Sequence, residues 1–77
     1  MAATAVGRII EQRRRELGLT QEQVAARLWR TQQWVSMIER GTRRIQHVED
    51  LRYVAEQLGI PPEQFGLLPA TPTLEVV

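Results

Sequence analysis

The chain has 77 residues, no cysteine, one histidine and a formal net charge of +1. That length allows one small domain, close to the lower limit for folding on its own core, and without cysteine there is no disulfide staple and no thiolate metal site. A lone histidine argues against the usual zinc sites. No apolar run reaches membrane-spanning length and Met1-Ala2-Ala3-Thr4 is no signal-like stretch, so a cytoplasmic protein is expected.

The small net charge hides an asymmetry. Residues 1–45 hold nine arginines against four acids, whereas residues 46–77 hold one arginine against five acids. A basic half suits a polyanion, with the acidic half turned elsewhere; chance fluctuation in a short chain is the plain alternative.

Apolar residues recur at helical intervals from one end to the other. Val6, Ile9, Ile10 and Leu17 share one face of a first helix, which Gly18 ends by taking a left-handed cap. Thr20-Gln21-Glu22-Gln23 reads as a capping box opening a second, short helix with Val24, Ala25 and Leu28 inward. Trp29-Arg30 breaks the period. Thr31 then caps a third helix that turns Val35 and Ile38 inward and ends at Gly41. A basic loop, Thr42-Arg43-Arg44, leads to a fourth helix with Val48, Leu51, Val54, Ala55 and Leu58 inside. Gly59 stops it, and Pro61-Pro62 starts a last short helix reaching Phe65, Leu67 and Leu68, with Pro62 at a first helical position. No strand pattern precedes residue 73. The expected fold is all-α, five short helices, with a domain over residues 1–68 and a Pro-containing tail over 69–77 whose end, Leu74 to Val77, is largely apolar.

Two short helices joined by a tight turn, the second opening on polar residues, is the arrangement that places a helix in the major groove of DNA. Adenine shows that groove an acceptor beside a donor, and a glutamine amide can answer both. Gln32 and Gln33 stand at the first exposed positions of the third helix, with Ser36 and Met37 one turn further on.

Residues 6–59 resemble the xenobiotic-response-element (XRE) family of helix-turn-helix domains, which includes the Cro-like and phage-repressor DNA-binding domains. The resemblance is carried by Val6-Gly7, Ile10, Arg14 and Gly18-Leu19-Thr20-Gln21, then Val24-Ala25 and Leu28. It continues through Val35-Ser36 and Ile38-Glu39-Arg40-Gly41 to Leu51, Val54-Ala55 and Leu58-Gly59-Ile60. It implies a transcription regulator, a repressor or else an activator, that grips operator DNA as a homodimer. Gln21 would hold a backbone phosphate, as would Arg40, Arg43 and Arg44. Gln32, Gln33, Ser36 and Met37 would face bases, with Thr31 and Trp34 beside them. Arg14 and Glu39 would form a structural ion pair between the first and third helices.

The chain departs from the family pattern twice. Trp29 stands where the family usually has a glycine, and the loop from Gly41 to Leu51 is about one residue longer than the family's. Trp29 is expected to pack in the interior, since an indole buries a large apolar area. Trp34 either meets DNA or covers the side of the fourth helix. Arg13 and Arg15 are read as a solvated face, and His47 as an ordinary loop or cap residue. No nucleophile–base set or phosphate-cradling glycine loop is present, so neither enzyme activity nor a cofactor is expected. An antitoxin that masks a toxin and an adaptor using the same helices to bind protein are the competing functions. The dimer surface is expected on the fourth helix, the turn from Phe65 to Leu68, and the apolar tail.

Overall fold

A computed structural model describes residues 5–67. Within them lie four α-helices: α1 (Ala5–Glu16), α2 (Gln21–Leu28), α3 (Gln32–Arg40) and α4 (Val48–Leu58), followed by a 3₁₀ turn over Pro62–Phe65. No strand occurs among the described residues, so the all-α expectation holds. The fifth helix is one 3₁₀ turn, because only three residues separate the prolines from the cap at Gly66. Leu68 and the tail over 69–77 lie outside the described residues.

Local chemistry sets the boundaries. Thr20 accepts from the Gln23 amide at 3.1 Å while the Gln23 side chain accepts from the Thr20 amide at 2.8 Å, so two orphan donors at the start of α2 are satisfied reciprocally. Thr31 does the same duty at the start of α3, accepting from the Trp34 amide at 3.1 Å. α2 ends on a residue in the left-handed region, and that residue is Trp29, at φ 56° and ψ 39°. Its amide donates to the Ala26 carbonyl and the Arg30 amide to the Ala25 carbonyl, a helix-ending motif that glycine normally supplies.

The core gathers Ile10, Val24, Ala25, Leu28, Trp34, Val35, Ile38, Val54, Ala55, Leu58 and Ile60, with Ile9, Leu17, Leu19, Ile45, Tyr53 and Phe65 packed around it. α3 sits centrally, against both α1 and α2. α1 approaches it closely enough that a Cβ added at Gly7 would overlap the Ile38 carbonyl oxygen, so a side-chain-free residue is required there.

Three sequence expectations need correction. Val48 is 51% exposed, because the first turn of α4 projects beyond the core that Val54, Ala55 and Leu58 reach. Trp29 does not pack: it is 86% exposed, since a left-handed residue at the end of α2 throws its side chain outward. Arg13 is no mere solvated charge. Its Nε donates to the Leu58 carbonyl at 2.7 Å, so α1 caps the C-terminus of α4, where carbonyls lack helical partners.

Candidate nucleic-acid interface

A chain of polar side chains runs from the interior to the exposed start of α3. Glu39 is only 5% exposed. Its Oε2 accepts from Arg14 Nε at 2.7 Å and its Oε1 from Arg14 Nη2 at 3.1 Å, a two-pronged pair joining α1 to α3. Arg14 Nη1 also donates to the Leu19 carbonyl at 3.1 Å, which fixes the α1–α2 junction. The hydrogen bond to Glu39 raises the pKa of Arg14 above its ordinary value. Glu39 Oε1 accepts again from Gln21 Nε2 at 3.0 Å, and Gln21 Oε1 accepts from Gln32 Nε2 at 2.7 Å.

The direction of this relay is forced. A carboxylate only accepts, so Gln21 must turn its NH₂ to Glu39 and its oxygen to Gln32. Gln32 answers with an N–H. Its own Oε1 and second N–H are left on the exposed side. The buried ion pair therefore sets which atoms Gln32 presents to solvent, two residues further along the relay.

Around Gln32 the structure places Thr31 and Gln33 exposed, and Ser36 and Met37 half-buried. Arg40, the last residue of α3, and Arg43 and Arg44 beyond it are exposed. Arg40 Nε reaches only its own helix, donating to the Ser36 carbonyl at 3.4 Å. Trp34, expected beside the base-facing residues, is buried at 8% exposure within the core cluster. Its spacing with Val35 and Ile38 was the available signal, because residues four apart share a helix face. Gln21 is committed to Glu39 and Gln32 rather than standing free. Among the described residues no helix is long and apolar enough to cross a membrane, and no cluster of three or more potential metal ligands occurs.

Two capped helices at a tight turn, with an ordered polar residue opening the second, form the element that the comparisons recognise. A family model described as a helix-turn-helix domain matches residues 5–68. The chain belongs to that family. Comparison with curated proteins and with solved structures gave no significant match. The helix-turn-helix family is a DNA-binding one, and its motif here is α2, the turn over Trp29–Thr31, and α3. Sequence reasoning missed Arg30 in that turn. Its guanidinium carbon lies 4.8 Å from the Trp34 ring centroid, and its Nη2 lies 3.8 Å from Asp50 Oδ2. Trp34 is only four residues on, but Asp50 is twenty away, and only the fold brings it to Arg30.

Proposed function

We propose that the protein is a sequence-specific transcription regulator of the XRE type, a repressor that inserts α3 into the major groove of operator DNA as a homodimer. The observation that carries this reading is the relay from Arg14 and Glu39 through Gln21 to Gln32. Reading a base requires an amide held in a known orientation, and this one is held by a buried charge. With one N–H given to Gln21, Gln32 keeps an N–H and an oxygen, the pair of groups that answers N7 and N6 of adenine. Gln33, Ser36, Met37 and Thr31 lie on the same approach, and Trp34 is left out because it is buried.

Gln21 keeps a second amide hydrogen for a phosphate, and Arg40, Arg43 and Arg44 supply the non-specific grip. One recognition helix reads few base pairs, and two copies reading half-sites about 34 Å apart extend the site. The dimer surface is assigned to the outer side of α4 and the turn after it, where Ala55, Gly59, Ile60, Pro61 and Pro62, flanked by Arg52 and Glu56, line a mostly apolar hollow of about 540 Å³.

Selection of bound duplexes from a random pool tests the reading and yields the half-site together. An enriched, two-fold symmetric site is expected, with a logarithmic salt slope of roughly −4 to −8 for a dimer on its phosphates. No enrichment, or one chain per duplex by light scattering, would overturn the operator-binding dimer.

A further inference from the structure

Between the turn that precedes α3 and the loop that follows it lies an open cleft of about 690 Å³. Arg30 stands on one wall with Trp34 and Asp50, and the loop from Gly41 to His47, which carries Arg43 and Arg44, lines the other side. Three guanidiniums thus face one carboxylate. The side chains of Arg43 and Arg44 make no ion pair or hydrogen bond among the described residues. Like charges gathered round a concave surface repel one another and concentrate a positive potential that an anion relieves.

Arg30 is the part that identifies the anion. Its contact with Asp50 is loose, at 3.8 Å, and both side chains are 42% exposed. Exposed pairs of this kind contribute at most about 1 kcal/mol, so the exchange of Asp50 for a better acceptor is cheap. The Trp34 ring, by contrast, is buried and cannot follow. A guanidinium over it, its carbon 4.8 Å from the ring centroid, keeps that contact when Asp50 lets go, and Arg30 still lines the cleft. A planar fork held at its face and free at its edge is matched by a tetrahedral oxyanion with two oxygens side by side.

We propose that this cleft binds phosphate, with Arg30 as a pre-positioned arm, Trp34 as its positioning residue and Asp50 as the resting counterion that phosphate displaces. The phosphate is one of the DNA backbone flanking the bases that α3 reads, and in this the proposal rests on the operator-binding reading. It adds a grip from the turn of the helix-turn-helix itself, opposite the grip from Arg43 and Arg44, so that the backbone is held from two sides.

The test compares wild type with Arg30→Ala, Arg30→Lys, Asp50→Asn and the Arg30→Ala/Asp50→Asn double variant, each checked for an unchanged melting transition. Affinities for the selected and a random duplex are measured over a salt series. Arg30→Ala is expected to weaken both duplexes alike, by about 5- to 20-fold, the worth of a charge-assisted hydrogen bond. The salt slope should fall by about one unit per subunit. Arg30→Lys should keep the slope and recover only part of the affinity, because an ammonium lacks the planar fork. Asp50→Asn should tighten binding about three times more with Arg30 present than without it. A second arm titrates inorganic pyrophosphate against the Trp34 fluorescence in a Trp29→Phe background.

Unchanged affinity in Arg30→Ala, or an Asp50→Asn gain of equal size in both backgrounds, overturns the proposal. If wild type binds no duplex, the operator reading fails on its own and the second arm decides the cleft. An Arg30-dependent fluorescence change then supports a site for a free phosphoester, and its absence refutes the cleft.

Discussion

The two ends of the recognition helix are built on opposite plans. At its start, Thr31 caps the backbone and Gln32 is tied through Gln21 and Glu39 to Arg14, so an exposed amide is oriented from the interior. Past its end, Arg43 and Arg44 project from an irregular loop without a partner among the described residues. The difference follows from what each end would touch. A base edge offers donors and acceptors at fixed points and rejects an amide pointing the wrong way. A phosphate presents the same oxygens in every sequence, so a long flexible cation serves it well. Order is concentrated where information would be read, and charge is placed where only attraction is needed.

The sharpest way to break that contrast is to remove its foundation. Glu39→Ala leaves Arg14 partly buried without its counter-charge, a loss of about 3–5 kcal/mol in stability. Glu16→Ala removes only an exposed carboxylate from its pair with Arg13 and should barely move the melting temperature. Similar small shifts in the two thermal melts would mean that the Arg14–Glu39 pair does not anchor the helices. Next in size is Gln32→Ala, which should weaken the selected duplex by about 10- to 150-fold per half-site and leave random duplex almost unchanged. Equal weakening on both duplexes would show that Gln32 reads nothing.

Arg43→Ala should do the reverse. Selected and random duplex lose affinity alike, by about 5- to 10-fold, and the salt slope flattens by about one unit per subunit. A loss confined to the selected site would place Arg43 on a base and erase the division between the two ends. The smallest effect is expected at Trp29. Glycine removes the strain of a left-handed tryptophan but adds freedom to the unfolded chain, so Trp29→Gly should raise stability by only about 0.5 kcal/mol. Urea denaturation reads it as a higher midpoint at unchanged slope. A lower midpoint would mean that the indole makes stabilising contacts despite its exposure.

Much of this architecture was legible because its signals are local. Gly18, Gly41 and Gly59 end helices with positive φ, and Thr20 with Gln23 and Thr31 open them, each within a few residues of its partner. The pairing of Arg14 with Glu39 came from family resemblance, since nothing in the spacing of 25 residues announces it. Trp29 was read the wrong way round for a physical reason, whereas Trp34 had been open between DNA and packing. Apolar size argued that Trp29 should be inside, but the backbone needed a helix-ending residue at that point and sent the side chain out. Trp34 lies four residues before Ile38 on the buried stripe of α3, and periodicity outweighs any appeal of an aromatic near DNA. Arg13 and Tyr53 were invisible in their roles because their partners lie far along the chain, as Asp50 does from Arg30. Tyr53 donates to the Arg27 carbonyl at 3.3 Å, 26 residues away, and Arg13 to the Leu58 carbonyl, 45 away.

That last bond bears on how the domain comes into being. During synthesis α1 emerges first, yet the backbone its Arg13 caps is made 45 residues later, and the α3 surface against Gly7 also follows it out. Until Leu58 has left the ribosome the first helix lacks one of its anchors, and short helices outside a packed core are marginal in water. The helix-turn-helix therefore does not mature as a self-sufficient pair that the flanking helices later decorate. It becomes rigid only when the nascent chain closes on itself, so a polypeptide halted before the end of α4 would carry the reading residues without the framework that aims them.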